Sequence, residues 1–143
     1  MGVPGGLLRR ITGSNGRAAE ARPTKGIRRV LVVDDDDSIL TLICSILKLI
    51  NCDVMTARNG LEAVAMFRSC PDLIDLVITD LEMPVLNGYE TVRRIRETRA
   101  ETKIVCMSGY AEKRCPAGTI FLAKPFTPGQ VRACIDPLSE AEG

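Results

Sequence analysis

Runs of β-branched and apolar residues at Val30–Val33, Val54–Ala57, Leu73–Thr79, Ile104–Met107 and Ile120–Ala123 alternate along this chain with stretches of helical period. Short continuous runs of this kind suit strands buried on both faces. Between the first two, Ile39, Leu42, Ile43, Ile46, Leu47 and Ile50 recur at steps of three and four, which puts them on one side of a helix. Asp37 or Ser38 is placed to cap it. Asn59-Gly60 predicts a turn before a helix over Leu61–Ser69, and Asn87-Gly88 opens a helix carrying Tyr89, Val92 and Ile95. A short last helix is predicted from Thr127 to Cys134, stopped by Pro137. Strands that alternate with helices imply right-handed crossovers and a parallel sheet, hence an α/β fold. Ligands of such sheets bind beyond the carboxyl ends of the strands.

The 143 residues suit one domain with a substantial core. Residues 1–26 hold six of the twelve glycines and two prolines, with only Leu7-Leu8 as an apolar patch. They read as a flexible basic tail or linker, followed by the domain at 27–138 and a C-terminal tail at 139–143. Residues 1–29 carry seven basic side chains and one acid, whereas residues 30–143 carry twelve basic and seventeen acidic ones. A body with a net charge of −5 disfavours direct nucleic-acid binding. The longest apolar stretch, around Leu40–Ile50, is broken by Thr41, Ser45 and Lys48, so no membrane insertion is expected. Six cysteines without a CxxC pair, and no cleavable signal pattern, point to a reduced cytoplasmic protein. The chain contains no histidine, which excludes Ser-His triads, His-ligated metals and imidazole proton shuttles within it.

The chemistry lies in the residues placed directly after the strands. Asp34-Asp35 come after the first, Asp80 after the third, Ser108 after the fourth and Lys124 after the fifth. A parallel sheet brings these ends to one edge, so three carboxylates, a hydroxyl and an ammonium converge. Clustered carboxylates repel one another unless a hard cation with oxygen ligands sits among them, and Mg²⁺ is the natural match. A lysine and a serine hydroxyl facing that ion suit a phosphoryl group. The nucleophile left to this chain is a carboxylate, which would form an aspartyl phosphate.

The runs VLVVDDDDS at 30–38, LVITDLEMPVLNG at 76–88, VCMSG at 105–109 and FLAKPF at 121–126 resemble the receiver domain of two-component response regulators. The resemblance implies a doubly wound, flavodoxin-like α/β fold with a five-stranded parallel sheet of order 2-1-3-4-5. Carried over by position, Asp80 would accept the phosphoryl group and Asp35 would bind Mg²⁺ directly. Asp34 would act directly or through water, and the backbone carbonyl of Glu82 would complete the metal shell. Ser108 would bond a phosphoryl oxygen, Lys124 would pair with the aspartate and later the phosphate, and Phe121 occupies the rotamer-switch position. Asp36 and Asp37 are expected to be solvated or capping. The implied partner is a histidine kinase or histidine phosphotransfer protein, with the domain a monomer or weak dimer.

One departure stands out. Only eleven residues separate Ser108 from Ile120, and they include Pro116 and Gly118, so the helix that the family places fourth is shortened to about one turn. That truncates the usual signalling face and makes the chain most similar to receivers attached to hybrid histidine kinases. Two other readings fit parts of the pattern. Asp34-x-Asp36-x-Ser38 also matches the opening motif of haloacid-dehalogenase-type phosphatases, and a receiver-like docking module would keep the fold without being phosphorylated.

Overall fold

The computed structural model describes residues 26–110 and 115–142. Apart from Gly26, the expected tail over 1–26 lies outside the described residues. Strands β1 (Arg29–Val33), β2 (Asp53–Ala57), β3 (Leu76–Asp80), β4 (Lys103–Ser108) and β5 (Ile120–Ala123) form one sheet in the order β2-β1-β3-β4-β5. Every pairing is parallel. Helices α1 (Asp37–Leu49), α2 (Gly60–Ser69), α3 (Gly88–Thr98) and α4 (Pro128–Glu142) cover the two faces.

Side chains alternate across the strands, so the sheet feeds two cores, one on each face. Val30, Val32, Ile78, Val105 and Leu122 meet α1 and α4 through Ile43, Leu47, Val131 and Ile135. Leu31, Val33, Val77 and Cys106 meet α2 and α3 through Phe67, Val92 and Ile95. Each fully buried aliphatic side chain contributes about 1.5–3 kcal/mol. All six cysteines are free thiols, and burial pushes Cys106 up to about 11, as befits a small core hydrophobe. No helix among the described residues is long and apolar enough to cross a membrane.

The helix starts obey local hydrogen bonding. Asp36, not Asp37 or Ser38, caps α1, its carboxylate accepting the Ser38 N–H at 2.8 Å. Asp37 instead pairs with Arg58 beyond β2. Asn59 accepts the Glu62 N–H while the Glu62 carboxylate accepts the Arg58 N–H, a reciprocal cap for α2. Asn87 accepts the Glu90 N–H at the start of α3. Gly88 is obligatory there, because a Cβ would overlap the main chain of Asp80 and Leu81.

Three expectations need correction. The third strand begins at Leu76 rather than Leu73, and Pro71–Leu73 is a 3-10 turn. The Asp75 carboxylate takes the N–H groups of Arg28 and Arg29, and the Arg99 guanidinium takes the carbonyls of Pro71 and Ile74. The backbone there is satisfied without a ladder. The last helix starts with a Thr127–Gln130 reciprocal cap and continues through Pro137 to Glu142. Pro137 removes one ladder bond instead of ending the helix, so residues 139–142 are helical rather than a tail. The third correction is the α1 cap described above.

Among the described residues no α-helix lies between β4 and β5. Thr119 turns back there, donating its N–H and its hydroxyl to the Pro116 carbonyl, with Gly118 at φ +79°. Residues 111–114, within the expected single turn of helix, lie outside the described residues. Phe121, beside Cys106 in register, is half-buried, whereas Leu122 on the other face is 4% exposed.

Candidate functional site

The carboxyl ends of β1, β3, β4 and β5 bring the side chains at or just beyond them to one rim: Asp80 and Ser108 close β3 and β4, whereas Asp34, Asp35 and Lys124 follow β1 and β5. The Lys124 ammonium lies 2.9 Å from an Asp34 oxygen and 3.3 Å from an Asp80 oxygen. Asp34, Asp35 and Asp80 each offer a carboxylate oxygen, all within 4.8 Å of one another. Asp34 and Asp80 are buried and Asp35 is exposed, so the cluster opens to solvent on one side.

The other Asp34 oxygen accepts the Asp36 N–H at 2.9 Å, which orients that carboxylate. One Asp80 oxygen accepts the Glu82 N–H at 3.3 Å. Burial first, and then the neighbouring Asp34 charge, push the Asp80 carboxyl from 3.8 to about 6, against the pull of Lys124 and the Glu82 N–H. Burial also opposes the charge on Lys124, but the hydrogen bond and charge of Asp34, aided by Asp80, outweigh it and hold the ammonium above its ordinary range. Three acids facing one ammonium leave negative charge uncompensated. An oxygen-seeking divalent cation fits that donor set, with Asp34, Asp35 and Asp80 as available ligands.

Ser108 is fully buried. Its hydroxyl donates to a Glu82 carboxylate oxygen at 2.9 Å and accepts the Tyr110 N–H at 3.0 Å. The Glu82 side chain is not anticipated from the sequence, where the resemblance implicates only its carbonyl. A signal is present: in extended chain, residues two apart share a side, so Glu82 can follow Asp80 toward the rim. Asp36 is occupied by its cap, so the pair Asp34 and Asp36 needed by the phosphatase motif is not assembled. Phe121 lies half-buried on β5.

Comparison with known proteins gives a consistent picture. The response regulator receiver domain family matches residues 30–136. A two-component response regulator of Arabidopsis thaliana is 31% identical over 142 residues, covering 94% of this chain and 100% of that protein. The sensor kinase CckA of Brucella abortus is 28% identical over 132 residues, which are 88% of this chain and 14% of the kinase. A response regulator receiver domain protein from Clostridium thermocellum superposes with a TM-score of 0.73 at 27% identity, over 80% of this chain and 96% of that one. The chain spans between 10% and 14% of the length of the first sensor-kinase relatives it matches.

Proposed function

The chain belongs to the response regulator receiver family, and on that premise we propose that it stores a phosphoryl group on Asp80, taken from a phosphohistidine. The observation that carries this reading is the Lys124 ammonium held between Asp34 and Asp80, with Asp35 beside them. The donor is a histidine kinase or histidine phosphotransfer protein, or another part of a longer hybrid kinase, because these 143 residues contain no histidine. The cytoplasm is the expected compartment.

An Asp80 oxygen attacks phosphorus in line with the P–N bond, which breaks with its electron pair leaving on the donor imidazole. Asp35 and Asp80 directly, Asp34 directly or through water, and the Glu82 carbonyl would hold Mg²⁺, which when bound supplies positive charge facing the phosphoryl oxygens. Lys124 neutralises charge that develops on the transferred group. The Ser108 hydroxyl donates to a phosphoryl oxygen in the product. Its movement, and repacking of the chain after β4 near Phe121, shift an equilibrium that exists before phosphorylation. The domain thus promotes only its own phosphorylation and dephosphorylation.

Incubation with acetyl phosphate is expected to label the protein only when Mg²⁺ is present, and Asp80→Asn is expected to abolish the label. Labelling that survives in Asp80→Asn removes the assignment. Absence of any Mg²⁺ response in the wild type, monitored by amide shifts near Asp35 and Asp80, would favour a docking module that is not phosphorylated.

A further inference from the structure

The buried hydroxyl of Ser108 has one proton to give, and here it gives it to Glu82. Its oxygen accepts the Tyr110 N–H at the same time, and the single donor of the hydroxyl is taken by Glu82. Ser108 is 0% exposed, so no solvent competes for that proton. Glu82 also holds the other end of the site, since its main-chain N–H is given to Asp80. One residue therefore ties the acceptor aspartate to the serine across the rim.

We propose that the Glu82 side chain is a latch on Ser108: it reserves the serine proton in the resting protein and releases it when a phosphoryl group occupies Asp80. The inference rests on Asp80 being the phosphoryl acceptor. A phosphoryl oxygen can receive the Ser108 proton only if the Glu82 bond breaks, because a hydroxyl donates once. Adding a dianionic group to Asp80 two residues away repels the Glu82 carboxylate and favours that release. As Ser108 turns, the Tyr110 N–H must move with it or lose its acceptor, which passes the change into the chain after β4. Glu82 is thus a positioning residue: it acts on the phosphoryl group through Ser108.

Beryllofluoride with Mg²⁺, added to the full chain, provides a stable stand-in for the phosphoryl group. Glu82→Ala is expected to raise apparent beryllofluoride affinity about tenfold, the scale of one charge-assisted hydrogen bond. Glu82→Gln keeps an acceptor for Ser108 without the charge, and its affinity should fall between wild type and Glu82→Ala. In protein free of metal and fluoride, the Tyr110 amide resonance of Glu82→Ala should move toward its position in the beryllofluoride-bound wild type. Equal affinity in wild type and both variants, or an unmoved Tyr110 resonance, overturns the latch while leaving Asp80 as acceptor. If the wild type binds no beryllofluoride at all, the acceptor reading fails and the latch with it.

Discussion

Asp75 and Asp80 flank the two ends of β3, and the protein treats them in opposite ways. At the amino end, the Asp75 carboxylate takes two main-chain N–H groups, from Arg28 and Arg29, and fastens the entry of β1 to that of β3. At the carboxyl end, Asp80 is buried beside another acid and pushed up to about 6. One carboxylate serves assembly, while the other is held where the fold would sooner not ionise it. Two aspartates at opposite ends of β3 thus contribute with opposite sign, and a carboxyl perturbed in this way marks a candidate functional site.

That contrast can be broken most directly at Asp75. Asp75→Ala strips two partly buried N–H groups of a charged acceptor and should cost about 3 kcal/mol in denaturant unfolding. A change below about 1 kcal/mol would mean that the lower rim is not held this way. Asp80→Asn should act in the other direction, stabilising the metal-free protein by about 2 kcal/mol at pH 7. The sign comes from linkage. A carboxyl raised in the folded state contributes favourably below the ordinary 3.8, and that contribution is lost as pH rises through about 6. The advantage of Asp80→Asn over wild type should therefore vanish near pH 4, and Mg²⁺ should raise the melting temperature of the wild type alone.

Smaller effects sharpen the same comparison. Arg99→Ala frees the Pro71 and Ile74 carbonyls at the lower rim and should cost about 1.5 kcal/mol in denaturant unfolding. Near the upper rim, Val85 adopts φ +72° in the loop after Asp80 and is 74% exposed. A β-branched residue is strained in that region, so Val85→Asn should gain about 1 kcal/mol by thermal melting. If both rims responded with the same sign throughout, the division between them would be lost.

The strands were legible because buried parallel strands leave unbroken β-branched runs, and the rim residues because each comes directly after such a run. The start of β3 was not, since Leu73, Ile74 and Leu76 look like strand but the polar groups of Asp75 and Arg99 decide where pairing begins. Four consecutive aspartates offer several caps for α1, and only the exit path from β1 selects Asp36. Continuation of α4 past Pro137 was hidden because a missing N–H weakens one rung without forbidding the next. The Glu82–Ser108 bond joins residues 26 apart in sequence, a pairing no local pattern encodes.

Gly88 leaves the main chain that follows Asp80 no room behind it. Its N–H is given to the Leu81 carbonyl, and even one added carbon would strike the peptide just after Asp80. The peptide after Asp80 is therefore backed closely by the start of α3, and the carboxylate is presented from main chain that cannot retreat toward that helix. Beyond β4, the edge strand β5 carries Phe121, an aromatic ring that the core has not fully enclosed.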